Sequence, residues 1–270
     1  MMKAIQLFRH KKWAHFRALM YMLCVAAAFV LQPLTAAELV YGISLCTVSP
    51  ALLPAAAPRP PYVIAIDPGH GGMDTGAQAI VEEYQVIDTT AAFLFELLSA
   101  DPDFIPILTR TDTDPSSAAR AATANSRGAS LLISLHANSD SSSARGFECF
   151  PTPPGRTYHA ESLRFATLIT RGMSAAGHSL RGTDKTGIKY AYYSGSSKKI
   201  VDSSDTKVRS LSSFGILEKT SCPAVLVEQC FITSHRDVSA WATEDGCRRA
   251  AAVYYAAIRQ FFTPETASDS

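Results

Sequence analysis

The feature that most limits how this chain can fold is a set of short apolar runs, Tyr62–Asp67, Phe104–Thr109, Ser130–Leu135 and Ala224–Val227. Near-continuous apolar runs of that length suit strands covered on both faces, which is the habit of parallel sheets. Helical periodicity separates them over Glu83–Leu98 and, more briefly, Ser116–Ser126. A strand at Gly146–Phe150, a helix at Glu161–Ala176, a strand around Ile188–Tyr193 and a closing helix at Gly246–Phe262 follow. This succession predicts an α/β fold: a single domain with a mostly parallel twisted sheet flanked by helices. The Ser- and Lys-rich stretch Ser194–Ser213 reads as a mobile loop. No internal repeat is visible.

The chain has 270 residues, of which 47% are hydrophobic, enough for one sizeable core and accessory segments. Lys3, Arg9, Lys11, Lys12 and Arg17 precede the first acidic residue, and the apolar run Ala18–Leu31 and "QPLTAA" follow, with Ala36 and Ala37 suited to a peptidase. Residues 1–37 therefore read as a cleaved export signal. The apolar run is shorter than a spanning helix needs, so no stable membrane anchor is expected after cleavage. Cys24 falls in the signal, and "YMLC" lacks the small residues of a lipoprotein signal. Residues 38–61 form a Pro/Ala-rich linker, 62–263 the folded domain and 264–270 a tail. Without the signal, 20 Lys and Arg face 24 Asp and Glu, a mildly acidic body with no electrostatic footprint for nucleic acid. An extracytoplasmic location, such as the periplasm, is expected. Cys46, Cys149, Cys222, Cys230 and Cys247 remain, with no CxxC pair and no Cys-based metal site. A strand between Cys222 and Cys230 would hold them about 25 Å apart, too far to bridge. Other pairings stay open.

In open α/β sheets, functional groups collect beyond the carboxyl ends of the strands. Three such ends carry chemistry here: "VIAIDPGH" ends at His70, "LLISLHAN" passes through His136, and "AVLVE" ends at Glu228. Glu83 opens the helix after the first strand. His70, Glu83 and His136 match the His2Glu set of catalytic zinc, which leaves a position open for water. Zinc lowers the pKa of such a water, and a carboxylate outside the ligand set can take its proton and pass it to a leaving amine. Glu228 is the candidate for that role. Glu82 is chemically equal to its neighbour Glu83, and spacing does not separate them. Gly71 and Gly72 allow a sharp turn after His70, and Asp67 can accept a hydrogen bond that orients the loop or a ligating ring.

"IAIDPGHGGMDTGA", "LTRTDTD" followed by "ARAATANSRGASLLISLHAN", and "CPAVLVEQCFIT" together resemble the zinc-dependent N-acetylmuramoyl-L-alanine amidases of cell-wall remodelling, a family that includes exported septum-splitting enzymes. The resemblance runs from about Tyr62 to Phe262 and keeps the motifs in family order. It implies a Zn2+ enzyme that cuts the amide between the lactyl group of N-acetylmuramic acid and L-alanine, in peptidoglycan or a lipid-linked muropeptide. It also implies Glu83 as the ligand glutamate and Glu228 as the catalytic one. Arg110, Arg120 and Arg181 then either contact acidic stem-peptide groups or form structural ion pairs. The chain departs from the family pattern in "EEYQ" where a charged "EK" step is usual, in Gln229 and Cys230 after the catalytic glutamate, and in the length of Ser194–Ser213, which would border the cleft.

Further readings remain. A wall-binding module without turnover would show loss of a ligand or of the catalytic carboxylate, and no such loss is visible. "GFECF" passes through the short turn "PTPPGR" directly to the helix from Glu161, which leaves no room for an autoinhibitory helix. An activator protein is therefore not expected to be required. Finally, Ser196 and Lys199, like Ser204 and Lys207, form Ser-x-x-Lys, and Lys185–Gly187 is Lys-Thr-Gly. These are two of three signatures of penicillin-sensitive serine enzymes, and they raise a second, carboxypeptidase activity. Against it, Ser-x-Asn is absent and the order is reversed.

Overall fold

Period-two alternation in the apolar runs builds a sheet with two covered faces. The computed structural model describes residues 59–263 apart from 112, so the signal, Cys24, Cys46, residues 38–58 of the linker and the tail lie outside the described residues. In chain order the elements are β1 (Tyr62–Pro68), α1 (Glu83–Ser99), β2 (Phe104–Leu108), α2 (Ser117–Ser126), β3 (Leu131–Asn138), β4 (Glu148–Pro151) and α3 (His159–Ala175). There follow β5 (Lys189–Ser194), β6 (Ser197–Asp202), α4 (Gly215–Lys219), β7 (Ala224–Phe231), the single turn α5 (His235–Asp237), a π-helical turn (Val238–Ala242) and α6 (Glu244–Phe262). Five strands form one sheet in the order β2-β1-β3-β7-β4. The first four run parallel, and β4 lies antiparallel on β7.

Ile64, Ile66, Leu131, Ile133, Leu135, Val225 and Val227 point to one face, where they pack on Ile87 and Leu94 of α1, Phe165 and Ile169 of α3, and Tyr254 and Ile258 of α6. Each such fully buried aliphatic or aromatic side chain stabilises the fold by about 2 kcal/mol. The alternate residues Ala65, Leu132, Ala224 and Leu226 face the other way, onto Ala121 and Ala124 of α2 and Ile216 and Leu217 of α4. The small residues of α2 let that helix lie close to the sheet, and its N-cap Ser116 accepts a hydrogen bond from the Ala119 N–H. Parity has a direct consequence for function. Asp67, Ser134, His136 and Glu228 continue the second series and emerge on the α2/α4 face, at the carboxyl ends of their strands. Register aligns Asp67 with Ser134 and His136 with Glu228.

The stretch expected to be a mobile loop instead opens with a strand, and irregular chain follows from Ser203. β5 and β6 pair antiparallel from Lys189↔Asp202 to Ser194↔Ser197, closed by Gly195 at φ +59. A two-residue turn with positive φ is what a tight hairpin requires. β6 reads as loop in the sequence because it is an edge strand whose exposed lysines suit an unpaired border. The helix α4 is likewise absent from the sequence reading. Cys149, Cys222, Cys230 and Cys247 are free and buried, and Cys222 and Cys230 stand at either end of β7 as expected. Among the described residues no helix is long and apolar enough to cross a membrane.

Candidate active site

After β1 the backbone turns within a few residues, and two glycines make the turn possible. A Cβ on Gly69 would lie 2.2 Å from the His136 ring. One on Gly76, whose φ is +65, would lie 2.7 Å from Glu83 Oε2 and 2.8 Å from the His70 ring. His70 itself holds φ +56, an unusual state for a non-glycine residue and one that over-determined functional loops tolerate. The result is convergence. His70 Nε2 and His136 Nδ1 each lie 3.1 Å from Glu83 Oε1. The three residues offer donor atoms within 4.8 Å of one another, and they come from a loop, a helix start and a strand. Glu83 is further fixed by the N–H groups of Ala77 (3.0 Å) and Ala137 (3.1 Å). Glu82 turns away and accepts from Gln85 Nε2 at 2.7 Å. It is thus Glu83 of the two candidates that meets the histidines.

The electrostatics suit a cation. Burial works against the Glu83 carboxylate, yet hydrogen bonds from His136 and His70 outweigh it and hold its carboxyl far below the usual range. The hydrogen bond to Glu83, with help from Asp74, raises His70 to about 9 even though burial opposes it. Two imidazoles and a carboxylate facing one point, with positive charge favoured there, are a fitting donor set for zinc. Asp74 was not singled out in the sequence. Its Oδ2 lies 2.8 Å from His70 Nδ1, the ring nitrogen turned away from Glu83. A carboxylate in this position orients a ligating imidazole and raises its basicity. The "GHGGMDTG" run holds the signal, an acid four residues after the histidine, but only the Gly71–Asp74 backbone pairing brings the two side chains together.

Asp67 orients the loop and does not touch a ligating ring. Its carboxylate accepts from Thr109 Oγ1 and from Ser134 Oγ at 2.6 Å, and it pairs with Arg120 at 3.3 Å. Arg120 donates onward to the carbonyls of Pro68 (2.6 Å) and His70 (2.5 Å). Arg110 donates to those of Pro68 (2.8 Å) and Gly69 (2.9 Å) and pairs with Asp88 at 2.6 Å. Both arginines are buried and clamp the loop carbonyls, and Arg120 also lines the cleft. Arg181 pairs with Glu148 at 3.2 Å and with Asp140 at 3.5 Å, and its guanidinium lies 4.5 Å from the centre of the Phe231 ring.

Glu228 sits in register with His136 on one side and Glu148 on the other. Burial pushes its carboxyl up to about 7, with His136 acting against the rise and Glu83 adding to it. Glu228, His70 and His136 share a cleft of about 300 Å³ whose apolar wall is Phe214, Ile216 and Leu226. The proposed serine site does not assemble. Ser196 lies in the hairpin turn and Lys199 on β6, where positions three apart face opposite sides. Lys185 occupies a turn at φ +54 and Lys207 lies beyond the strand, so no helix holds a serine and a lysine one turn apart.

A family model, Amidase_3, N-acetylmuramoyl-L-alanine amidase, matches residues 64–260. The chain is 37% identical over 132 residues to the N-acetylmuramoyl-L-alanine amidase CwlM of Bacillus licheniformis, covering 44% of this chain and 51% of that protein. It is 32% identical over 181 residues to LytC of Bacillus subtilis, covering 65% and 30%. The aligned part thus spans about half or less of these relatives' length. Among solved structures, the catalytic domain of CwlV from Bacillus (Paenibacillus) polymyxa superposes with a TM-score of 0.59 at 26% identity, over 74% of this chain and 97% of that one. An amidase from Clostridium difficile shares the fold at TM-score 0.60 and 23% identity, over 76% and 98%. With the family model running from the first strand to the last helix, this chain belongs to the N-acetylmuramoyl-L-alanine amidase family, Amidase_3.

Proposed function

We propose that the chain hydrolyses the amide between the lactyl group of N-acetylmuramic acid and L-alanine of the peptidoglycan stem peptide, with Zn2+ held by His70, Glu83 and His136. The observation that supports this most is the meeting of those three donors beside Glu228, in a cleft on one sheet face. Zinc bound there supplies Lewis acidity for attack of water on the amide carbonyl. Glu228 takes the proton of the attacking water and returns it to the nitrogen of the departing alanine. Asp74 fixes the His70 ring through Nδ1, and the Arg110 and Arg120 clamps hold the loop that presents it.

The natural substrate class is peptidoglycan or a lipid-linked muropeptide outside the cytoplasm, in keeping with the export signal expected from the sequence and with a Bacillus anthracis relative described as a cell wall amidase. The site acts without an activator. What supports this reading is the short path from β3 to α3, which among the described residues passes through β4 and turns. The test is metal analysis of the purified chain together with mass spectrometry of digested muropeptides. One zinc per chain and release of peptides with a free N-terminal alanine are expected. A His70→Ala protein that keeps stoichiometric zinc would overturn the ligand set. A zinc-loaded wild type that cuts only after a second protein is added would overturn the open site.

A further inference from the structure

The β5–β6 hairpin packs against a wall of the cleft through Phe214. Tyr193 of β5 packs edge-on against Phe214, an apolar cleft wall, at 5.9 Å between ring centres, and its N–H bonds the Ser212 carbonyl at 2.8 Å. Register places Lys198 opposite Tyr193, so both side chains share one face of the hairpin. The Lys198 ammonium lies 4.8 Å from the centre of the Phe214 ring and 6.0 Å from that of Phe150. An aromatic face holds a cation with about 0.5–1 kcal/mol at an exposed site, enough to bias where a flexible lysine rests. Phe214 lines the cleft that holds Glu228, so the ammonium seated over that ring stands at the cleft's rim.

Several other cations of the domain are engaged. Arg110 and Arg120 clamp the β1 loop, Arg181 and Lys189 pair with Glu148, and Arg156 pairs with Glu218. Lys198 forms no ion pair with a carboxylate among the described residues, although it is held at the rim of a cleft that contains Glu228, Asp74 and Asp114. A cation biased toward the cleft rim by aromatic rings and left without an anion is available to meet one on a ligand.

We infer that Lys198 is a specificity residue whose ammonium binds a carboxylate on the peptide side of the scissile amide. This rests on the amidase reading, because in that substrate the muramic acid carboxyl is consumed in the amide and the anions left near the bond belong to the peptide. Lys199 lies opposite Tyr192, on the other hairpin face, and takes no part.

The experiment uses two soluble phosphate-free muropeptides, N-acetylmuramoyl-L-alanyl peptides whose second residue carries its α-carboxylate free or amidated. Cleavage kinetics and calorimetric binding are measured for both. The wild type is expected to favour the free acid about tenfold in KM, the scale of one charge-assisted hydrogen bond. Lys198→Met should abolish that preference, Lys198→Arg should restore part of it, and Lys199→Met should keep it. A wild type without preference, or a Lys198→Met enzyme that retains it, overturns the inference. So does a loss that falls on kcat equally for both substrates, which would mean that the lysine acts through Glu228. If the wild type cleaves neither muropeptide but binds the free acid more tightly, and only when Lys198 is present, the hydrolysis reading fails and the carboxylate subsite stands.

Discussion

His70 shows how much of the site is set by single residues. Its ring reaches Glu83 only because Gly76 leaves room beside both groups, and its outer nitrogen is held by Asp74. Asp74→Asn keeps the shape and removes the charge that supports the imidazole, so zinc affinity should fall about 10- to 100-fold with the fold intact. Competition titration against a chelator measures this, and unchanged affinity would remove Asp74 from the metal-binding unit. At this scale His136 and Glu228 were legible because they close strands whose parity is plain, and His70 because it follows the first strand directly. Asp74 was not, since its role depends on a loop closing back on itself. Arg110 and Arg120 were ambiguous for a different reason. Their main partners are backbone carbonyls, and no residue type in the sequence announces those.

Between elements, the turn after α1 is tied to α6 through one carboxylate. Asp101 accepts from the Asp103 N–H at 3.0 Å, from the Tyr255 hydroxyl at 2.8 Å and from Arg259 at 2.9 Å. The Asp103 hydrogen bond first, then those of Tyr255 and Arg259, lower its carboxyl below the ordinary value, although burial opposes them. A carboxyl with a depressed native pKa contributes stability above its unfolded pKa and loses it as pH falls through the native value. Asp101→Asn should therefore lower Tm at neutral pH, by the equivalent of about 1 kcal/mol, and the gap from wild type should close in acid. A gap that persists unchanged at low pH would assign the effect to packing. The main sheet strands and long helices were legible from apolar periodicity. The strand β5 was legible but its partner β6 was not, because β6 is polar and pairs only along one edge, so its order comes from β5 and the aromatic contacts beneath it.

For the whole molecule, the fold class followed from strands alternating with helices. Which helices cover which face did not, because parity sorts residues into two series without saying what packs on each. The three candidate zinc donors come from the β1 loop, the start of α1 and β3, so a metal shared by them would tie together parts that pack on both faces. Removal of zinc by a chelator should lower Tm, and free zinc at about 100 times its Kd should raise stability by about 2.7 kcal/mol. An identical Tm with and without chelator would mean that these donors do not share an ion. Holding the metal and moving the proton belong, in the proposed mechanism, to different residues. Glu228→Gln separates the two, with zinc content and muropeptide turnover measured on the same preparation. One zinc per chain, as in the wild type, and a fall in turnover on the order of 100-fold or more are expected. A Glu228→Gln protein that cleaves at the wild-type rate, or one that has lost its zinc, would contradict that division of roles.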